Sequence, residues 1–281
     1  MIISSWNLNS RTNPKTLQQQ ADYLLSQNID IISLQEVVEK SDIFFKSYFK
    51  DWHIASSFDY VEDKSILVRN RKYGQPIVSR YPLEVDNPYK TNIPFPERVL
   101  TAYIKDLDLR IMTTHIPPGS SNGVIKVEHY EGLYNFLEKT KDIRTILTGD
   151  FNSPQGETAD GEVITWGQRK NSQGKLVYRI NPKWKDDCDA KRWDEAERSI
   201  IQNHTNCNLK DAFRSHKGYK DNSASWFTRK KLGRRYDHIF IPTDMTINEV
   251  GYEGKVVELG LSDHFPIKLI IDSYKVVAGS C

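Results

Sequence analysis

The sequence predicts an α/β protein in which a mixed sheet, or two sheets, carries helices on its outer faces and closes into one compact sandwich. Short apolar runs of strand length recur from end to end of the 281 residues. Segments with helical spacing fall between them, but without the strict strand and helix alternation of a doubly wound parallel sheet. With 38% hydrophobic and 27% charged residues, the chain has the composition of a globular protein and enough apolar material for a sizeable core.

In order, strands are read at Ile2 to Trp6, Ile29 to Leu34, Ser65 to Val68, Pro76 to Tyr81, Val99 to Ile104, Leu109 to Thr114, Thr145 to Thr148, Tyr236 to Ile241 and Phe265 to Ile271. After the first of them, Asn13 caps and Pro14 opens a helix that sets Leu17, Ala21, Leu24 and Leu25 on one face. A second helix is predicted from Val124 to Lys139, with Val124, Val127, Tyr130, Tyr134 and Leu137 in one stripe and Lys, Glu and His between them. From Gln155 to Asn208 the pattern lapses into a polar stretch that carries Trp166, Trp184 and Trp193 and one helix from Asp194 to Asn203. Long irregular segments inside compact domains are usually functional. The reading is therefore one domain over residues 1–272 with an insertion at 155–208, followed by a tail at 273–281.

Subtracting 37 acidic from 39 basic residues leaves +2, so attraction to polyanions must come from local patches. No window approaches the ~18 apolar residues of a membrane helix. The start, Met1-Ile2-Ile3-Ser4-Ser5-Trp6, reads as a strand and not as a basic, then apolar, leader. Three cysteines, odd in number and far apart, make no disulfide framework. A cytoplasmic monomer is the expectation.

The chemistry gathers where apolar runs end. They close on Asn7-Leu8-Asn9, Gln35-Glu36, His115, Asp150-Phe151-Asn152, Asp237-His238 and Asp263-His264. A strand that terminates in a polar side chain holds that group on a rigid element at the sheet rim. Six such ends predict convergence on one pocket.

In this order the fragments resemble the endonuclease/exonuclease/phosphatase superfamily, the DNase I-like metal-dependent phosphoesterases, over residues 2 to 271. The most specific pieces are Gly149-Asp150-Phe151-Asn152, the Asp263-His264 pair before Phe265-Pro266-Ile267, and Leu34-Gln35-Glu36-Val37. The resemblance implies a four-layer α/β/β/α sandwich with two mixed central sheets. A phosphodiester is an anion, so its hydrolysis needs charge neutralisation, an aimed water and help for the leaving oxygen. By similarity, Glu36 is the central metal ligand, with Asn7 and Asp263 completing or supporting an oxygen site suited to Mg²⁺ or Mn²⁺. Asp150 orients and deprotonates the attacking water, and Asn152 holds the phosphate or that aspartate. Asp237 fixes His264 so that a cationic imidazole faces the phosphorus. His115 faces the phosphate or the leaving oxygen, and Arg98 begins a strand where relatives hold an arginine near the site. Asn9 stands where abasic endonucleases of the group often carry Asp, which removes a negative charge and implies weaker metal affinity.

The segment Trp226 to Arg235 places Arg229, Lys230, Lys231 and Arg234 with two aromatics directly before Asp237. Basic groups neutralise phosphates and aromatics stack on bases, which favours nucleic acid, DNA first, as substrate. The run Arg235-Tyr236-Asp237-His238-Ile239-Phe240 resembles exonuclease III-like, abasic-site and DNA-end-processing members, and the Trp-Cys-Asp-Arg element of inositol phosphatases is absent. Three functions stay open at this point: a nuclease or DNA-repair phosphodiesterase, a phosphatase or phosphodiesterase on a small or lipid phosphoester, and a non-catalytic nucleic-acid-binding module on the same scaffold.

Overall fold

Side chains along the first strand alternate between two apolar surroundings, not between core and water: Ile3 packs into one cluster and Trp6 into another, both fully buried. A strand covered on both faces needs a layer on each side. The computed structural model describes residues 1–180 and 188–272; Trp184 and the tail at 273–281 lie outside the described residues. In chain order the strands of its two large sheets are Ile2–Asn7 (β1), Ile31–Gln35 (β2), His53–Ser56 (β3), Pro76–Ser79 (β4), Glu84–Asp86 (β5), Val99–Ile104 (β6), Leu109–His115 (β7), Thr145–Asp150 (β8), Leu209–Asp211 (β9), Asp237–Pro242 (β10), Ile247–Tyr252 (β11) and Ile267–Ile271 (β12). The main helices are Pro14–Ser26 (α1), Glu39–Tyr48 (α2), Ile125–Lys139 (α3), Ala190–Ile201 (α4) and Ala212–Lys217 (α5).

Each sheet has six strands, ordered β11-β12-β1-β2-β4-β3 and β9-β10-β8-β7-β6-β5. Each holds one parallel pair, β1 with β2 and β7 with β8, and the other pairings are antiparallel. Between the sheets, Ile3, Ile31 and Ile77 meet Leu100, Ile111, Ile146 and Ile239. On the far side of the first sheet, Trp6, Ile32 and Leu34 pack under Leu17, Ala21 and Leu24 of α1 and Phe45 of α2. On the far side of the second, Met112, Leu147 and Phe240 pack under Val127, Tyr130 and Leu133 of α3 and Trp193 and Ile200 of α4. This is the four-layer α/β/β/α sandwich, and each fully buried aliphatic or aromatic side chain contributes roughly 1.5–3 kcal/mol to it.

Local chemistry sets the helix ends. Asn13 accepts from the backbone N–H groups of Lys15 and Thr16, and Pro14 occupies the first turn of α1, where its missing N–H costs nothing. Asp189 accepts from the N–H of Arg192, so α4 starts at Ala190 and not at Asp194, where the sequence placed it. Two further readings change. Ser65 to Val68 is no strand: Asp63 caps a 3-10 turn at Lys64–Ile66, and Val68 is 58% exposed, because a side-chain cap supplies a local partner and no neighbouring strand offers a ladder. Leu25 lies 41% exposed at the edge of the α1 face, and Val124 caps α3 without lying inside it. Helix α2 and strands β3, β5, β9 and β11 were not anticipated. No helix among the described residues is long and apolar enough to cross a membrane.

Candidate active site

The two-residue strand period turns polar side chains inward at the C-terminal ends of both parallel pairs. Asn7 and Gln35 face each other in register on one sheet, and His115 and Asp150 on the other. Asp237 opens β10 opposite Asp150. Gln35 Nε2 donates to Ser5 Oγ at 3.1 Å and to Thr113 Oγ1 at 3.0 Å, so it ties the two rims together just beneath the site. Gly149 makes the approach possible: its φ is +146°, and a Cβ there would lie 1.9 Å from the Thr114 carbonyl oxygen. Directly after β2, Glu36 takes φ +52°, a left-handed kink that re-aims its carboxylate from the strand direction.

Asp150 is held at both oxygens. Asn7 Nδ2 donates to Oδ2 at 2.8 Å and the Asn152 backbone N–H to Oδ1 at 2.9 Å, while Asn152 Nδ2 donates to the Ile116 carbonyl at 2.9 Å. Across the cleft, Asp237 Oδ2 lies 2.7 Å from His264 Nδ1, which leaves His264 Nε2 facing Asp150 Oδ2 at 3.9 Å. His115 Nε2 sits 3.6 Å from Glu36 Oε1 and 3.7 Å from Asp150 Oδ2. Behind it, Arg98 Nη1 is 3.1 Å from His115 Nδ1, with the guanidinium over the Tyr73 ring at 4.9 Å.

Burial pushes the Asp150 carboxyl up to about 7; His264 opposes this and the Asp237 carboxylate adds to it. Burial likewise raises Glu36, against the pull of His264 and a hydrogen bond from Asn7. For His264, burial works against the charge, but the Asp237 and Asp150 carboxylates outweigh it and hold the imidazolium up to about 10. His115 is driven the other way, well below its ordinary value, by burial and by the Arg98 charge. A guanidinium only donates, so neutral His115 accepts at Nδ1 and carries its proton on Nε2, aimed between Glu36 and Asp150.

These protonation states decide which atoms suit a cation. Glu36, His115 and Asp150 form one cluster of possible ligand atoms, and Asp150, Asp237 and His264 another. His115 has its Nε2 blocked by a proton, and His264 is an imidazolium tied to Asp237, so neither ring is a ligand. What remains is oxygen: the Glu36 carboxylate, raised by burial, with Asn7 hydrogen-bonded to it and Asp263 lining the same cavity. That donor set fits a hard dication such as Mg²⁺ or Mn²⁺.

Glu36, Asp150, Asn152, Trp226, Asp263 and His264 line one cavity of about 530 Å³. Asp263 Oδ2 accepts from Trp226 Nε1 at 3.1 Å, and Trp226 stacks on Tyr236. Asn9 contributes its backbone N–H to Asn7 Oδ1 at 2.9 Å, so its place is behind Asn7. Arg229, Lys230 and Lys231 are exposed at the tip of a hairpin, Trp226–Phe227 against Gly233–Arg234, outside the cavity wall, whereas Arg234 at its base lies over the Trp166 ring at 5.9 Å. Sequence reasoning missed Lys126. It is fully buried, its Nζ pairs with Glu197 at 2.7 Å and donates to the Asn152 carbonyl at 2.9 Å and Ser153 Oγ at 2.8 Å. A lysine beside an apolar stripe has the pattern of a solvated one, so no signal marked it. Trp166 and Arg179, which also line the cavity, stood in the sequence only as members of the insertion.

A search among curated protein sequences found no match. Solved structures do resemble this chain. A 3' phosphatase from Neisseria bound to product DNA hairpin is 23% identical with a TM-score of 0.64, over 97% of this chain and 99% of that one. A 3'-5' exonuclease from Neisseria meningitidis is 24% identical with a TM-score of 0.66, over 97% and 100%. An AP endonuclease from Archaeoglobus fulgidus is 19% identical with a TM-score of 0.65, over 97% and 99%. At these identities the likeness is one of fold. The family model described as Endonuclease/Exonuclease/phosphatase family matches residues 4–264, from within β1 to the histidine that Asp237 holds. The chain belongs to the Endonuclease/Exonuclease/phosphatase family.

Proposed function

We propose that the protein is a divalent-metal-dependent phosphodiesterase whose substrate is nucleic acid, DNA first. One observation carries the reading: Glu36, Asp150 and His264 line a single cavity, with neutral His115 against the two carboxylates and Asp237 behind His264, and three tryptophans, Trp166, Trp193 and Trp226, line the same cavity. Carboxylates, a cation and donors answer the needs of an anionic ester, and aromatic walls answer those of bases. Proteins of the same fold include one whose structure holds a product DNA hairpin.

Glu36, with Asn7 and Asp263 supporting it, would hold the metal, which when bound supplies positive charge to the phosphate oxygens. The chain's own residues do the rest. Asp150, raised to about 7, takes a proton from the attacking water as a base matched to neutral pH. Asn7 and the Asn152 N–H keep its oxygens aimed. The His264 imidazolium and the His115 Nε2–H donate to the phosphate as negative charge grows on it.

The test is a panel of DNA and RNA oligonucleotides (intact, nicked, abasic and 3'-blocked) beside phosphoinositides and p-nitrophenyl phosphate, each with Mg²⁺, Mn²⁺ or chelator. DNA cleavage that chelator abolishes is expected, with Asp150→Asn losing at least ~10² in turnover at an unchanged melting temperature. Hydrolysis of the small esters alone would overturn the nucleic-acid reading, and DNA binding without turnover under any metal would leave the module.

A further inference from the structure

We propose that Trp166, flanked by Arg179 and Arg234, is a second binding subsite that takes an unstacked nucleobase and its adjoining phosphate next to the scissile bond. The proposal rests on the nucleic-acid reading above and deepens it.

Trp166 comes from the insertion, yet it is anchored to the catalytic loop. Its Nε1 donates to the Asn152 carbonyl at 3.1 Å and its backbone N–H to Glu197 Oε2 at 2.9 Å. The indole is thus two hydrogen-bonded steps from Asp150, by way of Asn152. Beneath it the buried Lys126–Glu197 pair and the Trp193 indole, whose Nε1 donates to Glu197 Oε1 at 2.7 Å, make the floor rigid. Trp166 itself is only partly buried and lines the same cavity as Asp150 and His264.

Two guanidiniums lie by the ring, Arg179 at 5.8 Å and Arg234 at 5.9 Å from its centroid. Arg179 is braced by donating from Nε to the Gln168 carbonyl at 2.8 Å and from Nη2 to Gln155 Oε1 at 2.9 Å. Those contacts use two of its five donors, and both acceptors are neutral, so its charge is not cancelled by them. Among the described residues, the carboxylate that anchors the recess, Glu197, is already matched by Lys126. A recess with a flat aromatic wall, two guanidiniums beside it and a fixed offset from the reacting centre suits a base on the indole and a phosphate on the guanidiniums. A small inorganic or sugar phosphate would find charge there but nothing that needs the ring.

The test uses Mg²⁺-loaded protein and single-stranded DNA oligonucleotides that carry every base or lack one base, in turn, on each side of the cleaved bond. Wild-type protein should prefer the complete strand over one of these by at least ~5-fold in KM, the ratio that about 1 kcal/mol of stacking represents. Trp166→Ala should erase that preference and Trp166→Phe should keep most of it. Arg179→Gln and Arg234→Gln should each flatten the dependence of KM on salt. A Trp166→Ala variant that loses kcat on complete and base-lacking strands alike, with the preference intact, would mean the ring only props Asn152, and the subsite is wrong. The same contrast is read as Kd on Asp150→Asn protein. If that contrast appears while wild-type protein cleaves no strand, the subsite stands and the phosphodiesterase reading falls; if no strand shows it, the subsite falls whatever the activity.

Discussion

His115 shows how one contact decides what a side chain can do. Arg98 lies against its Nδ1, is itself buried, and is anchored by Nε to the Asn70 carbonyl at 3.2 Å. With the proton forced to Nε2, the ring is a donor at that atom and not a metal ligand, although its distance to Glu36 alone would admit either role. Arg98→Met should release this constraint. The Nδ1–H tautomer then becomes accessible, visible in ¹⁵N imidazole shifts, and turnover should fall ~10-fold or more while the fold persists. Unchanged imidazole shifts would mean that the burial of His115, and not the arginine, selects the tautomer. The sequence showed Arg98 as the start of a strand, and the resemblance set it near the site, but neither showed its contact with His115. A polar residue at the end of an apolar run is a pattern one can read along the chain, so the rim positions Asn7, Glu36, His115 and Asp150, which close or follow strands, and Asp237, which opens one, were legible. The identity of the atom that carries a proton depends on a neighbour 17 residues away, and no local pattern records it.

Among elements, the insertion is held to the sandwich by buried charge. Lys126 on α3 and Glu197 on α4 pair at 2.7 Å with both side chains almost wholly enclosed. Breaking one partner of such a pair typically costs about 3–5 kcal/mol, whereas replacing both by apolar residues can be close to neutral. Chemical denaturation should therefore find Glu197→Ala strongly destabilised and Lys126→Met with Glu197→Leu much less so; equal losses in the two would show that the pair itself supplies the stability. A second knot joins Glu157 of the insertion to Arg214 at 2.8 Å and Arg235 at 2.9 Å, with Asp211 on Arg235 at 2.6 Å. Burial alone would raise Glu157, but Arg235 and Arg214 outweigh it and hold its pKa down to about 2, from 4.5. The sign follows: the carboxylate is stabilising above pH 4.5, and this stabilisation, on the order of 3 kcal/mol, is lost as pH falls from about 4.5 through 2. Glu157→Gln should flatten the acid limb of a stability profile in that window. Elements of this kind were the least legible. The strands and α1 follow from period and caps, but α2, with only Phe45 fully inside its apolar face, and the edge strand β11 owe their form to partners far along the chain. Ser65 to Val68 fails for the opposite reason, since a local cap outcompetes an apolar run that has no neighbour to pair with.

At the scale of the whole molecule, a net charge of +2 offers no general field, so the exposed cluster Arg229, Lys230 and Lys231 stands out at the tip of the hairpin whose Trp226 lines the cavity. Because these side chains lie outside the cavity wall, they can meet a long strand but not a small ester. Reversing all three charges should weaken DNA binding and reduce the salt slope by about 3 while leaving p-nitrophenyl phosphate turnover unaltered. An unaltered DNA affinity would make the tip a merely solvated turn. The sandwich also sets an order of events through β1. That strand lies between β2, which follows it within 30 residues, and β12, which begins at Ile267. Trp6 Nε1 donates to the His264 carbonyl at 3.0 Å, and Ser262 Oγ to the Asn7 carbonyl at 2.7 Å. The cleft is thus sewn shut by contacts between stretches about 255 residues apart in sequence. Until the distant strand β12 docks, β1 carries one raw edge, so the last step that completes the cleft is a pairing of high sequence separation, the slow kind in folding.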